Sequence, residues 1–251
     1  RRPPAEVYAK VCERFEKKPS PDIVCGLAEQ GCLRADLQLC EEADAIPHFF
    51  REAPLGVRHI VLYDGLQFFG ADGFYKERLR VIAQRSRPSV PTLADSRWRR
   101  SLAYALGAFA EKRGLGVESL ELTGLQLGQQ AHALSPLAYA VSGMTHLQRL
   151  HLAGCNLQDT GFSLLVPHLV RRLPRLTHLS IAANYLHDLH PIVAFLRART
   201  RQQRKRAAAP LEILDLSQNP RLGAHTVRQR TARRRPPKPC GMAGGAAAPG
   251  V

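Results

Sequence analysis

Several protein classes are excluded by segments and motifs that the sequence lacks. The chain of 251 residues has no apolar run near the length of about 18 residues that spans a bilayer, so no membrane segment is predicted. It begins Arg1-Arg2-Pro3-Pro4 without a methionine or an apolar signal segment, so we expect a fragment or a processing product and no secretion. The Walker, G-x-G-x-x-G, H-E-x-x-H and G-x-S-x-G motifs are absent, which removes the common signatures of nucleotide binding, zinc proteolysis and serine hydrolysis. We therefore expect a non-enzymatic protein that uses no cofactor.

The cysteines and histidines do not form a metal-binding pattern. None of the 6 cysteines belongs to a C-x-x-C pair, so the sequence favours cysteine as a small buried apolar residue in a reducing compartment. His187 and His190 flank Asp188 without a third ligand in the sequence around them. We interpret these residues as part of a turn and expect no metal.

The net charge of +15 is concentrated in three short segments. These are Arg1 with Arg2, the stretch 197–206 with six basic and no acidic residues, and the segment after Asp215 with seven basic and no acidic residues. The remainder is neutral overall, and such runs are more often solvated than specific nucleic-acid sites. For 197–206 two interpretations remain open: a solvated helix end, or a docking site for an acidic partner.

One template recurs four times along the chain and predicts the fold. It reads apolar, two residues, apolar, one residue, apolar, two residues, and then asparagine, cysteine or an apolar substitute. Three of the units have Cys155, Asn184 or Asn219 at this last position. The four units start at the following residues: Val117, Leu147, Leu176 and Leu211. Their interval of about 30 residues is typical of leucine-rich repeats, in which each unit is a short strand followed by a helix.

The residue types of the template have physical reasons. Alternate leucines of a short strand point into the core, and an Asn or Cys side chain can hydrogen-bond turn backbone that would otherwise be buried without partners. Phe162, Leu165 and Leu169 follow helical spacing in a segment that Gly161 is expected to open, and Pro191 suits the first turn of the next helix. The sequence predicts an α/β fold: a leucine-rich-repeat solenoid of horseshoe shape, with short parallel strands on the concave side and helices on the convex side.

Fainter units precede these four. Ile60 and Leu62 belong to a degenerate unit that lies two periods before Leu120. The unit missing between them would centre on Val90, where flanking prolines oppose a proper ladder, so we expect a broken strand there. A helix carrying Trp98, Leu102, Leu106 and Phe109 is expected to follow from about Leu93 to Lys112.

The first 56 residues are predicted to form a helical N-terminal cap. Tyr8 and Cys12 lie on one apolar helix face, a second helix starts at Pro21, and Leu37 with Leu39 suits a first short strand. We divide the chain into a cap (1–56), a solenoid (57–222, with a basic insert at 197–210) and a disordered basic tail rich in Pro, Gly and Ala (223–251).

These units resemble, in order and spacing, those of leucine-rich-repeat proteins of the centrosome and ciliary base, and their long period resembles the ribonuclease-inhibitor-like class. The resemblance rests on the following segments: Tyr8-x-x-x-Cys12, Gly31-Cys32-Leu33, Arg85-Ser86-Arg87-Pro88, Leu120-Glu121-Leu122-Thr123-Gly124 and Leu150-His151-Leu152-Ala153-Gly154. It implies a scaffold of the cytoplasm, the centriole and the ciliary base that acts in cilium assembly and length control by binding and regulating a ubiquitin-ligase assembly. Two alternatives stay open: a cytosolic or nuclear regulator of the ribonuclease-inhibitor or GTPase-activator type, and a nucleic-acid binder acting through its arginine runs.

The concave side offers a candidate surface for binding a partner. Its expected residues are Glu118, Ser119, Glu121, Gln148, Arg149, His151, Thr177, His178, Ser180, Glu212 and Asp215. They mix acid, base and amide groups, which suits a protein interface better than a small-molecule pocket. A basic patch is a second candidate, formed by Arg197, Arg199, Arg201, Arg204, Lys205 and Arg206. The expected partners are centrosomal or ciliary proteins, among them a ubiquitin-ligase complex, with nucleic acid disfavoured and no membrane.

Three of the concave positions could suggest a catalytic triad. Glu121, His151 and Ser180 are expected on neighbouring strands about 4.8 Å apart, in the order carboxylate, histidine, serine. A flat open sheet provides no oxyanion hole and does not exclude water. We therefore interpret the row as solvated polar positions.

Overall fold

A computed structural model describes residues 2–37, 40–53, 55–63, 96–129 and 131–222. The helices in these ranges are α1 (Pro4–Arg14), α2 (Pro21–Glu29), α3 (Ile46–Glu52), α4 (Ser96–Arg113), α5 (Ala131–Gly143), α6 (Gln158–Arg172) and α7 (His190–Arg204). The strands are β1 (Cys32–Asp36), β2 (His59–Tyr63), β3 (Ser119–Thr123), β4 (Arg149–His151), β5 (His178–Ser180) and β6 (Ile213–Asp215). Within the described ranges, no helix combines the length and apolar character needed to cross a bilayer.

The six strands form one sheet whose order follows the chain from β1 to β6. Every neighbouring pair is parallel, and parallel neighbours require crossover connections, for which helices are the usual solution. One residue of each strand stands in a common register: Leu33, Ile60, Leu120, Leu150, Leu179 and Leu214. The α/β class and the parallel strands that the template predicted are therefore present.

The core lies between one face of the sheet and the helices. α4 packs against α3 and α5, α5 against α6, and α6 against α7. Phe162 of α6 and Phe195 of α7 are buried and meet edge to face, with ring centroids 6.5 Å apart. Leu165 and Leu169 are also buried, which confirms the predicted apolar face of α6.

Gly161 does not open α6, contrary to the prediction. The helix starts at Gln158, and Gly161 is buried within its first turns. A Cβ at Gly161 would lie 3.0 Å from Cδ1 of Leu134 on α5. The absence of a side chain therefore serves the close approach of α5 and α6.

The first strand differs from the prediction in position. It was expected at Leu37 and Leu39, but β1 covers Cys32–Asp36 and follows α2 almost directly; Leu39 lies outside the described residues. The register explains the shift, because Leu33 and Ala35 are the buried residues that align with Ile60 and Leu62 of β2. The small size of Ala35 concealed the apolar alternation in the sequence.

The expected missing unit does not separate β2 from β3. The two strands pair directly, with Ile60 opposite Leu120, so no further strand lies between them. Val90, where a broken strand was predicted, lies outside the described residues. Two neighbouring strands of the sheet are therefore separated in the sequence by two repeat periods.

The helix predicted to follow this region is confirmed over its described part. α4 runs from Ser96 to Arg113, and its predicted inner residues are buried: Trp98, Leu102, Leu106 and Phe109. Residues 93–95 lie outside the described ranges. Nε1 of Trp98 donates to the carbonyl of Ala43 at 3.1 Å, which ties α4 to the turn before α3.

A buried carboxylate joins the helices of the N-terminal segment. Glu42 is only 4% exposed and accepts hydrogen bonds from the Tyr8 hydroxyl at 2.7 Å and from the Ser20 amide at 3.1 Å. Burial, together with the hydrogen bond to Glu42, raises the pKa of Tyr8. Tyr8, Val11 and Cys12 are fully buried, as their helical spacing predicted.

Asparagine side chains fill the turns after β5 and β6 in the predicted manner. The amide of Asn184 accepts from the Leu157 backbone N–H at 3.1 Å and donates to the carbonyl of Leu152 at 2.6 Å. Asn219 accepts from the backbone N–H groups of Asn184 and Leu186, at 2.9 and 3.0 Å. Each side chain therefore links its own turn to the preceding one.

Cys155 has the corresponding place after β4. Its Sγ donates to the Leu122 carbonyl at 2.9 Å, and burial raises the pKa of its thiol to about 12. Of the other described cysteines, Cys12 and Cys40 are buried, whereas Cys25 is exposed. The prediction of small buried cysteines thus holds for three of them.

Candidate functional site

Among the residues that the structure describes, the helices pack on one face of the sheet and leave the other uncovered, and we call this second face the open face. It carries the strand residues that alternate with the core positions. Its first row consists of Cys32, His59, Ser119, Arg149, His178 and Ile213. Its second row consists of Arg34, Val61, Glu121, His151, Ser180 and Asp215. The structure therefore brings the predicted strand positions of the partner-binding surface together on one side of the sheet.

The predicted positions just before the strands also line up. The carbonyl of Glu118 accepts from the backbone N–H groups of Gln148 and Arg149, and the carbonyl of Gln148 accepts in the same way from Thr177 and His178. The carbonyl of Thr177 likewise accepts from the backbone N–H groups of Glu212 and Ile213, which extends the pattern to β6. Glu118, Gln148, Thr177 and Glu212 thus form a third row along the edge where the strands begin.

The exposure of these residues is uneven. Gln148, Arg149 and Glu212 are exposed, whereas Ser119 and Ser180 are each only 5% exposed. The two serines therefore offer a partner little area. Ile213, at the β6 end, is 51% exposed and adds an apolar group to the polar surface.

The Ser180 hydroxyl bonds a carboxylate of the neighbouring strand. Its Oγ donates to Oδ2 of Asp215 on β6 at 2.9 Å, on the side away from Glu121. Burial alone would raise the pKa of Asp215, but hydrogen bonds from Ser217 and Ser180 and the nearby His151 lower it overall. The bond therefore stabilises the Asp215 carboxylate.

A cleft of the described part of the chain is lined by other residues than this row. It has a volume of about 490 Å³ and lies where α1, the end of α3 and the end of α4 meet. Its lining includes Val7, Lys10, Leu55 and Lys112, none of which belongs to the open face.

The open face extends further than the sequence reasoning placed it. β1 and β2 add Arg34, His59 and Tyr63, and the guanidinium of Arg34 lies 5.9 Å from the centre of the Tyr63 ring. A cation over an aromatic ring at this distance is a favourable contact. The signal for this extension was the alternation of apolar residues at Leu33 and Ala35, which align with Ile60 and Leu62 of the next strand.

Arg199 departs from the predicted basic patch because it is buried. It is 1% exposed, and its guanidinium donates to four backbone carbonyls. Nη1 bonds the carbonyl of Leu173 at 2.7 Å, and Nη2 bonds those of Pro174, Leu176 and Ala209 at 3.1, 2.7 and 3.1 Å. Burial lowers the pKa of Arg199. The residue clamps the end of α6 to the segment before β6 and offers nothing to a partner.

The other five residues of the predicted patch are exposed: Arg197, Arg201, Arg204, Lys205 and Arg206. They belong to α7 and the residues directly after it, on the helical side of the sheet. Because Ile192 and Phe195 of the same helix are in the core, the patch and the open face are separate surfaces.

His187 takes part in a turn, as its spacing suggested. Its Nδ1 lies 3.4 Å from Oδ2 of Asp159, whose Oδ1 accepts the backbone N–H groups of His187 and Asp188. His190 donates its backbone N–H to Asp188 at 2.8 Å. In the ranges that the structure describes, no group of three or more His, Cys, Asp or Glu residues could hold a metal ion.

No protein-family model matches the chain, and no curated protein is similar enough to it to count as a relative.

Proposed function

We propose that the chain is a leucine-rich-repeat solenoid of the ribonuclease-inhibitor-like class, curved into a horseshoe with the open face on its concave side. The observation that carries this proposal is the six-stranded parallel sheet in chain order, with in-register apolar residues such as Leu120, Leu150 and Leu179. Stacked units that each add one strand and one helix bury a continuous core, which a single unit could not do alone.

The backbone of successive turns supports the same proposal. The residue before each turn side chain has a left-handed conformation: φ is 73° at Gly124, 63° at Gly154, 53° at Ala183 and 56° at Gln218. Left-handed conformations are uncommon for residues other than glycine. The same conformation occurs at the same position of four units, and in two of them the residue is not glycine. This recurrence supports a common turn geometry in each unit.

The proposed function is a non-enzymatic scaffold of the centrosome and ciliary base that binds a protein partner through the open face. The polar, mixed-charge surface with exposed Arg149, Glu212 and Ile213 supports protein binding. The resemblance of the motifs to the leucine-rich-repeat half of the seventy-eight-kilodalton centrosomal protein supports the location. In this proposal the partner belongs to a ubiquitin-ligase assembly, and the complex acts in cilium assembly and length control.

The proposal is tested by proximity labelling in ciliated cells. The variant Glu121→Arg with Arg149→Glu exchanges two charges of the open face and keeps the net charge. Arg100→Glu with Glu111→Arg does the same on α4, where both residues are exposed, and is the matched control.

We expect the unaltered chain and the α4 control to enrich centriolar and ubiquitin-ligase proteins, and the open-face exchange to lose that enrichment. Equal enrichment by all three, with the exchanged protein folded by circular dichroism, would refute the open face as the binding surface. Diffuse cytosolic labelling by the unaltered chain would instead favour a regulator of the ribonuclease-inhibitor or GTPase-activator type.

A further inference from the structure

A second charged surface lies at the carboxyl ends of α6 and α7, and we call it the basic rim. It consists of two groups of three exposed residues: Arg171, Arg172 and Arg175 from α6 and the turn after it, and Arg204, Lys205 and Arg206 from α7 and the residues after it. The sequence pointed only to the second group. The fold places the first group of arginines beside it.

Backbone contacts hold the two groups together. The Ala209 N–H donates to the Pro174 carbonyl at 2.7 Å, directly beside Arg175 and three residues after Arg206. The buried guanidinium of Arg199 bonds the carbonyls on both sides of this junction. Because Arg199 is fixed by four hydrogen bonds, the two groups share one rigid base.

Stabilisation of helix ends explains only part of this charge. Cations near a helix carboxyl terminus interact favourably with the helix dipole, which accounts for Arg171, Arg172 and Arg204. Arg175, Lys205 and Arg206 lie beyond the helices. Lys205 also stands four residues after the exposed Arg201, a spacing at which like charges repel. The fold does not require this concentration of charge.

Acidic residues of the same region do not neutralise the rim. Between residues 160 and 211 the sequence contains one acid, Asp188, and it binds the His190 N–H at the start of α7. The length of α7 places Asp188 about 20 Å from the rim, beyond the Debye length of about 8 Å at physiological salt. Glu212, the next acid in the sequence, directly precedes β6 and carries a single negative charge.

We propose that the basic rim docks an acidic polypeptide segment of a partner, at a site separate from the open face. Five of the six side chains are arginines, whose planar guanidinium groups bind carboxylates in a bidentate manner. The ranges 171–177 and 197–210 contain no aromatic residue, whereas surfaces that bind single-stranded nucleic acid combine basic grooves with stacking aromatic rings. This difference favours carboxylates of a polypeptide over a nucleic acid. The inference does not depend on the proposed centrosomal role.

The test measures binding of a fluorescein-labelled peptide rich in Glu and Asp to the full chain by fluorescence anisotropy. Two variants neutralise the rim: Arg171→Gln with Arg172→Gln and Arg175→Gln, and Arg204→Gln with Lys205→Gln and Arg206→Gln. Two controls remove the same charge elsewhere. One changes the exposed Lys17, Lys18 and Arg100 to Gln, and the other changes Arg233, Arg234 and Arg235 of the C-terminal segment to Gln.

We expect each rim variant to weaken binding about tenfold, as the loss of a few exposed ionic contacts would, and each control to weaken it less than about twofold. Equal losses in rim and control variants would show attraction by net charge alone and overturn the proposal. A larger loss in the Arg233–Arg235 variant would place the site in the C-terminal segment and would also overturn the proposal. Tighter, rim-dependent binding of an oligothymidylate of the same charge would make the rim a nucleic-acid surface and overturn the polypeptide assignment.

Discussion

Substitution of Arg199 by lysine tests whether this residue is a structural clamp or part of a charged surface. The change keeps the positive charge but replaces a planar fork that reaches four carbonyls with a single ammonium group. A surface residue would tolerate the exchange, whereas a clamp would not. The clamp joins the Leu173–Leu176 turn to Ala209, so its loss would loosen the attachment of β6.

The size of the effect follows from the contacts of the guanidinium. Hydrogen bonds that involve a charged donor contribute about 1.5–3 kcal/mol each, and a buried acceptor left without a donor costs about 1–3 kcal/mol. If lysine keeps two of the four bonds, we expect Arg199→Lys to lower the free energy of unfolding by about 3 kcal/mol. Arg199→Met loses all four bonds and leaves their carbonyls without this donor, so its loss is expected to be larger, about 4 kcal/mol, even though it removes the cost of burying a charge.

Urea unfolding followed by circular dichroism measures both changes. Arg201→Lys, two residues further along the exposed side of α7, is the matched control and should change the free energy of unfolding by less than about 0.5 kcal/mol. A loss below about 0.5 kcal/mol in Arg199→Lys would show that charge alone matters at this position and would refute the clamp.

Three further predictions concern other parts of the fold. Tyr8→Phe removes the hydroxyl that donates to the buried Glu42 and should lower the free energy of unfolding by about 1–3 kcal/mol; an unchanged urea midpoint would contradict the role of this contact in the N-terminal segment. Asn184→Ala should cost about 2–4 kcal/mol in the same assay because it leaves several buried backbone groups without partners, and a cost below about 1 kcal/mol would argue against a linking role for this side chain. The pKa of Asp215 is lowered in the fold, so its carboxylate stabilises the protein above the unfolded pKa of about 3.9, and this contribution is lost as the pH falls through the folded pKa. The free energy of unfolding of Asp215→Asn should therefore fall less steeply with acid than that of the unaltered chain. Identical acid dependence in both proteins would count against this contribution.

The parallel sheet could be predicted where the template was complete. Units with Leu at the strand positions and Asn or Cys at the turn, as around Leu150 and Leu179, were placed correctly. The predicted position of β1 was wrong because Ala35 is too small to signal a core position in the sequence. The sequence placed Ile60 two periods before Leu120, and the direct pairing of these residues shows that this length of chain makes a single step of the sheet.

The candidate surfaces were predicted less completely than the fold. Strand alternation placed Glu121, His151 and Arg149 on one face. Strand alternation could not show that the Ser180 hydroxyl bonds Asp215, because the orientation of this side chain depends on a residue of the neighbouring strand β6. Arg199 looked like its exposed neighbours because a run of basic residues carries no signal for the one position that faces the core. Its burial depends on the carbonyls of a turn more than 20 residues earlier in the chain.

The central claim is a scaffold at the ciliary base, and imaging of the fluorescently tagged full chain in ciliated cells tests it most directly. The account predicts a focus at the base of each cilium that coincides with a centriole marker, and loss of this focus in the variant Glu121→Arg with Arg149→Glu. A uniform cytoplasmic or nuclear signal from the unaltered chain, expressed intact at a low level, would contradict the account.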